Sequence, residues 1–380
     1  MSPLPAFLSQ FSSTRLGIVV DDIGPPRAAL IAPAHGMTPE LMNRALSLSG
    51  GLTFVAVSAE RAAAFMLPEM SRPSPTRSDR TTSTAVDSLK MLCSVEAREG
   101  ISTGISASDR AATARILGSE TPHPRDLVKP GHIFPVEVRS GGVLVKAALA
   151  EGALDIVRLA GFSDAALFLD LVGPSGELLS ASDSSRFAAE QGLPLVGLSQ
   201  LISYRLHREP LVTRTAEAVI PSRIAGELRG ITYRSKIHDV EHIALIKGDV
   251  GHGGPVLVRV QAESTLSDVF GGGTRSSRAL LQASLQAIAE RGSGVLVYLR
   301  RPAFEDPIDV GQSLASGSAQ PASMMREYGV GAQILRDLGV SQIEVLSSSS
   351  RSLTGLASFG LTIVSQQPLP GVDSAQGHIV

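Results

Sequence analysis

The chain has 380 residues and a formal net charge of −2, from 34 Lys and Arg against 36 Asp and Glu, with 43% hydrophobic and 18% charged residues. That balance gives no basis for nucleic-acid or anionic-membrane binding, and the length exceeds the roughly 250 to 300 residues at which single cores stop growing, so two domains are expected. With no tryptophan, 4% aromatic residues and one cysteine, the cores must be aliphatic and no disulfide can form within one chain.

Met1 to Thr14 lacks the positive region of a signal peptide, and no run reaches 18 uninterrupted apolar residues, so a cytoplasmic protein is expected. The first strand signal is the β-branched run Leu16 to Val20, stopped by Asp21-Asp22 and a sharp turn at Gly24-Pro25-Pro26. Thr38 before Pro39 has the N-cap and N1-proline signature of a helix reaching Ser47, and Phe54 to Val57 reads as a strand. Ser71 to Thr84 has no apolar period and predicts an exposed, mobile loop. Cys93, in an apolar run, reads as a small buried hydrophobe. Ser106 and Asp109 predict a capping box at the head of a helix ending at Leu117. A helix over Leu154 to Ala160 and a strand over Ala166 to Val172 follow, and a polar hinge near Arg208 closes a first domain of residues 1–208.

The second domain, 209–380, is strand-rich: Ala218 to Ile220, Ile231 to Tyr233, His242 to Lys247 and Val256 to Val260 read as strands. A helix from Arg278 to Arg291, a strand from Val295 to Leu299, a helix from Met324 to Leu338 and a strand from Ile343 to Leu346 complete a mixed α/β pattern, with Ser347 to Ser350 as a polar turn. No internal repeat is visible.

The series Thr103-Gly-Ile-Ser-Ala-Ser-Asp-Arg110, Lys129-Pro-Gly-His-Ile-Phe-Pro135, Gly141-Gly-Val-Leu144 and Leu159-Ala-Gly161 resembles 3,4-dihydroxy-2-butanone 4-phosphate synthase. In the second half, Glu241-His-Ile-Ala-Leu-Ile-Lys-Gly-Asp249, Pro255 to Val260, Asp268-Val-Phe-Gly271 and Tyr328 to Gly339 are similar to GTP cyclohydrolase II. The resemblance implies two α/β (α+β) domains: an α/β synthase-like domain, then a mixed α/β cyclohydrolase-like domain. It implies two activities. The first would convert ribulose 5-phosphate to a four-carbon phosphate and formate with a divalent metal such as Mg. The second would open GTP with zinc, releasing formate and pyrophosphate.

Residue by residue, the resemblance places His132 and Asp170 as catalytic groups in the first domain, with Asp standing where the family has Glu, and Arg326 at the position of the second domain's nucleophile. The shorter Asp loses roughly 1.3 to 1.5 Å of reach. Substrate or phosphate contacts fall at Thr103, Ser106, Asp109, Arg110 and Glu151, and at Arg259, Glu263 and Ser347. The head of the helix after Ser106 can hold a phosphate, or Arg110 can simply lie on its surface. Of the family's acidic metal-binding run, only Asp21 and Asp22 remain as weak metal candidates, and these can equally end a strand in solvent. The metal histidine falls at Leu149. The three zinc cysteines fall at Ser264, Arg275 and Ser277, the catalytic base at Met324 and a phosphate-binding lysine at Ser352, so zinc is not expected.

Two readings follow. One is a paralogue degenerate at both sites that keeps the scaffold, dimerises and acts by binding a sugar-phosphate or nucleotide ligand, or a protein partner. The other is residual or altered lyase or isomerase activity on a sugar phosphate, using His132, Asp170 and Glu151 with Asp21 or Asp22 at a makeshift metal site.

Overall fold

The computed structural model describes residues 3–23, 27–70, 89–237, 240–251, 253–270, 277–301, 321–347 and 361–369, and of residues 321–326 the backbone alone. The expected loop at 71–84 and the turn at 24–26 lie outside these residues. The chain divides into two compact units, Met1–Tyr204 and Arg205–Val380. Among the described residues no helix is long and apolar enough to cross a membrane.

The first unit runs α1 (Leu4–Thr14), β1 (Gly17–Asp21), β2 (Arg27–Pro33), α2 (Pro39–Ser49), β3 (Phe54–Val57), α3 (Ala59–Ala64), β4 (Lys90–Met91) and β5 (Val95–Ala97). It continues through α4 (Ala107–Leu117), β6 (Leu127–Glu137), α5 (Leu149–Leu159), β7 (Ala165–Asp170), α6 (Ala181–Gln191), β8 (Leu195–Gly197) and α7 (Leu198–Arg208), whose last turn passes into the second unit. Its sheet has the order β4-β6-β3-β7-β2-β1-β8, with β5 paired to β6. Strand residues alternate between faces. Ile18, Val20, Leu30, Val55, Val57, Leu167 and Leu169 accordingly join Met42 of α2, Ala111 and Leu117 of α4 and Ala188 of α6 in one aliphatic core. On the opposite face α5 is buried from Leu149 through Val157. A Cβ on Gly152 would meet the Leu198 side chain at 2.5 Å, so glycine is what lets α5 lie this close to the start of α7.

Thr38 caps α2 as expected, its side chain accepting the Leu41 N–H, and α4 begins at the cap Ser106. Two expectations need correction, and one strand carried no expectation. The helix expected over 154–160 starts five residues earlier, which places Leu149 and Glu151 in its first turn. The apolar stretch after the Pro-Pro turn is a strand that returns antiparallel to β1, pairing Asp21 with Arg27. Cys93 is half-buried rather than buried.

The second unit contains β9 (Val212–Ser222), β10 (Gly226–Ser235), β11 (Glu241–Lys247), β12 (Val256–Ala262), α8 (Thr265–Asp268), α9 (Ser277–Arg291), β13 (Gly294–Leu299), α10 (Pro321–Asp337), β14 (Gln342–Ser347) and β15 (Thr362–Pro368). The sheet order is β15-β14-β12-β13-β11-β10-β9. The sequential strands β9, β10 and β11 pair antiparallel and β13 adds antiparallel to β11, whereas β13, β12, β14 and β15 are mutually parallel. Helices α9 and α10 supply two of the crossovers that parallel pairing demands. Leu285 and Ile288 of α9 pack on Leu257, Leu296 and Leu346. Gly331 of α10 faces Val260 of β12 instead, where a Cβ would stand 3.2 Å from the valine methyl.

Candidate functional site

In the first unit, the rings of Phe54, Phe134 and Phe168 mark one face of β3, β6 and β7, with centres 6.1 Å and 5.1 Å from Phe54. His132 lies two residues before Phe134 and Asp170 two after Phe168, so alternation puts both on that face. β6 runs parallel and β7 antiparallel to β3, which brings both positions to the same end of the sheet. With β3 between them, their backbones are two strand spacings, about 10 Å, apart.

Each is paired with a different residue. Asp170 Oδ1 accepts from Arg27 Nη2 at 2.9 Å, with both side chains about one-fifth exposed (23% and 22%), so a guanidinium holds the carboxylate expected to move protons. His132 Nδ1 instead hydrogen-bonds Glu96 Oε1 on β5. Over that carboxylate sits Gly104, at φ +80°, where a Cβ would overlap Glu96. Asp109, buried at the head of α4, accepts the Gly104 N–H at 3.0 Å and the Ser102 hydroxyl at 2.9 Å. Burial opposes its charge, but the hydrogen bonds from Ser102, Gly104 and Ser106 overcome that and hold the carboxyl below its usual range. The expected capping box is therefore half formed: Ser106 Oγ accepts the Asp109 N–H at 3.1 Å, while the Asp109 carboxylate turns back to residues 102–104.

Thr103 and Ser106 are exposed. Arg110, in the first turn of α4, is half-buried: its Nη1 donates to Thr53 Oγ1 at 3.1 Å, and its Nε is buried with no partner among the described residues. Asp22 is exposed, and it accepts the Ser199 N–H at 2.9 Å and the Ser199 hydroxyl at the start of α7, so it caps that helix. Asp21 accepts the Ile23 N–H at 3.2 Å. In the first turn of α5, Leu149 is 6% exposed and Glu151 only 2%. Glu151 Oε1 is 3.8 Å from Lys146 Nζ, and Oε2 has no hydrogen-bond partner among the described residues. Burial raises the Glu151 pKa against the pull of Lys146. One turn on, buried Asp155 accepts the Val143 N–H at 2.8 Å.

In the second unit, the carboxyl ends of parallel strands β12, β13 and β14 come together, the usual place for ligands on such sheets. Arg259 donates to the Leu346 carbonyl at 3.1 Å and to Gln261 Oε1 at 3.3 Å. Its Nε is buried with no partner among the described residues, and burial lowers its pKa. Glu263 is engaged by Arg301, which donates its N–H to Oε2 at 2.9 Å and its Nε to the carbonyl at 3.0 Å, then reaches Glu327 at 3.1 Å. Ser264 donates its N–H to Asp268 Oδ2 at 2.8 Å, and Ser277 Oγ accepts from Gln261 Nε2 at 2.7 Å. Ser347 ends β14, its carbonyl accepting the Leu369 N–H at 3.3 Å. Arg275, Ser352 and residues 348–350 lie outside the described residues, as do the side chains of Met324 and Arg326.

Among the described residues, no group of three or more His, Cys, Asp or Glu could hold a metal ion. An open depression of about 420 Å³ in the second unit, lined by Leu206 to Pro210, Val212, Gln333, Arg336 and Asp337, is made of none of these site residues. Glu96 and Arg27, which decide what His132 and Asp170 can do, carry no motif. The only trace of Glu96 in the sequence is a lone carboxylate inside the apolar run 91–97.

The fold and the two strand-end clusters define a tandem α/β protein. Its halves match the 3,4-dihydroxy-2-butanone 4-phosphate synthase family over residues 6–204 and the GTP cyclohydrolase II family over residues 213–368. The chain is 35% identical to the "Monofunctional riboflavin biosynthesis protein RIBA 2, chloroplastic" of Arabidopsis thaliana, covering 96% of this chain and 76% of that one. It is also 35% identical to the riboflavin biosynthesis protein RibBA of Salinispora arenicola, over 96% and 87%. In structure it is similar to RibBX, a two-domain 3,4-dihydroxy-2-butanone 4-phosphate synthase from A. baumannii, with a TM-score of 0.80 and 29% identity over 97% of this chain and 99% of that one. The chain belongs to the two-domain riboflavin biosynthesis family that joins a synthase unit to a GTP cyclohydrolase II unit.

Proposed function

We propose that this protein keeps both folds of the family, has lost the metal chemistry of both units, and acts by binding a phosphorylated ligand or a protein partner as a cytoplasmic homodimer. The observation that carries this reading is what fills the positions of the metal ligands. Leu149, at the position of the metal histidine, is packed at the buried start of α5 and has no lone pair to offer. Ser264 and Ser277, at two zinc positions, are tied into hydrogen bonds and carry hydroxyls where zinc takes thiolate, imidazole or carboxylate. Asp22 caps a helix, and Asp170 is held by Arg27. Neither the family's magnesium nor its zinc fits these donors. Two relatives that match 96% and 92% of this chain are named "Monofunctional riboflavin biosynthesis protein RIBA 2, chloroplastic" in Arabidopsis thaliana and "Probable monofunctional riboflavin biosynthesis protein RIBA 3, chloroplastic" in rice, which supports a scaffold that outlasts a chemistry.

What remains favours anion binding. Arg110 and Arg259 each keep a buried Nε with no partner among the described residues, and Asp109 fixes the loop 102–104 beside the His132–Glu96 pair. Isothermal titration of the full chain with ribulose 5-phosphate and with GTP, each with and without added metal, tests the reading. Metal-independent binding of either, without formate release, is the expected result; metal-dependent turnover contradicts it.

The intact His132–Glu96 pair favours a second reading, residual lyase or isomerase chemistry in the first unit, since a carboxylate-oriented imidazole is a competent base. Consumption of ribulose 5-phosphate that is lost in His132→Ala would establish it. Absence of any turnover by the wild type would remove it.

A further inference from the structure

The zinc positions of the second unit are not simply empty of thiolates. Among the described residues from Gln261 to Phe270 and at Ser277, hydrogen bonds converge on a different centre, the carboxylate of Asp268. Its Oδ2 accepts the Ser264 N–H at 2.8 Å and the Tyr298 hydroxyl at 2.7 Å, and its Oδ1 faces Gln261 Nε2 at 3.4 Å. The same Gln261 amide donates to the Ser277 hydroxyl at 2.7 Å and to the Ser277 carbonyl at 3.3 Å, and Ser277 in turn donates its N–H to Ser267 Oγ at 2.8 Å. Gln261 is 5% exposed and Ser267 8%. Gln261 and Tyr298 are register partners on adjacent parallel strands, so they present side chains to the same face.

The orientation of the Gln261 amide follows from its neighbours. Arg259 Nη2 can only donate, so the atom it meets at 3.3 Å is Oε1, and the NH2 group must point into the cluster. A donor aimed at the centre has the opposite polarity to a metal ligand. Tyr298 adds a second donor, and burial followed by its bond to Asp268 keeps the phenol protonated by raising its pKa. The centre is thus an anion surrounded by donors, the inverse of a cation surrounded by thiolates.

We propose that Asp268 and Gln261 form a metal-free clasp that joins the end of β12, α8, the first residue of α9 and β13 at one point, giving the carboxyl ends of these central strands the cross-link that a tetrahedral ion would supply. The clasp does not depend on which ligand the protein takes, so failure of ligand binding leaves it standing.

Native-state hydrogen exchange on the full chain tests it, beside metal analysis of the purified protein. A strong chelator should leave exchange across residues 261–268 unchanged, and zinc should be far below one per chain. Asp268→Ala should raise exchange of the Ser264 amide by about tenfold or more, the scale expected when a part-buried donor loses a charged acceptor. Tyr298→Phe, which keeps the ring and serves if the alanine variant does not fold, should raise it in the same direction by a smaller factor. Stoichiometric zinc with chelator-sensitive exchange would overturn the proposal, and so would Ser264 exchange within about twofold of wild type in both variants.

Discussion

Replacing Arg27 with alanine tests whether Asp170 is committed to an ion pair. The pair spans 2.9 Å between heavy atoms, with 22% and 23% of the two side chains exposed. For charges about 4 Å apart at an effective dielectric of about 20, the attraction is about 4 kcal/mol. Partial desolvation of both groups and ordering of the arginine side chain remove half or more of that, leaving about 1 to 2 kcal/mol. A double-mutant cycle of Arg27→Ala, Asp170→Asn and the pair should therefore give a coupling of about 1 to 2 kcal/mol. Read as a shift in unfolding midpoint of a unit of some 200 residues, Arg27→Ala alone should cost about 2 to 8 °C. Hydrogen exchange at the amides of β7 reports the stability of the first unit without interference from the second. A coupling below about 0.3 kcal/mol would mean that Arg27 does not hold Asp170, and Asp170 would again be available for proton transfer.

Glu151→Gln should change how stability depends on pH. Burial raises the folded-state pKa of Glu151, so the folded protein binds the proton more tightly than the unfolded chain. Wild-type stability then falls as pH rises from the ordinary carboxylate value toward the raised one, and the glutamine variant lacks this loss; parallel midpoint curves between pH 4 and 8 would refute the assignment. Gly104→Ala must place a Cβ at φ +80° against the Glu96 carboxylate, and should destabilise by about 2 to 4 kcal/mol in denaturant unfolding. Arg259→Leu removes a charged donor from the second unit, so GTP or another nucleotide found to bind there should weaken roughly tenfold to a hundredfold by calorimetry.

The regular elements with local signals were legible in the sequence. Thr38 and Pro39 announced α2, the β-branched runs announced β3, β12 and β13, and two motif series announced the two units. The start of α5 was not, because Ala148 offers no side-chain cap and nothing local marks the first turn that buries Leu149 and Glu151. β2 carried no expectation of its own, since its residues directly follow the double proline at which the turn was expected. The site pairings were hidden for a different reason. His132 meets a residue 36 positions away and Asp170 one 143 positions away, and only the strand order β6-β3-β7-β2 brings those distant segments to one sheet end. The cluster around Asp268 was visible only as a frame without thiolates, since hydroxyls and amides have no spacing rule comparable to that of zinc ligands.

Formate release is the most direct test of the central claim, because both family reactions expel it. The full chain, supplied with ribulose 5-phosphate and magnesium or with GTP and zinc, should release none above background. Release from either substrate that disappears in His132→Ala or in Arg326→Ala would contradict the account.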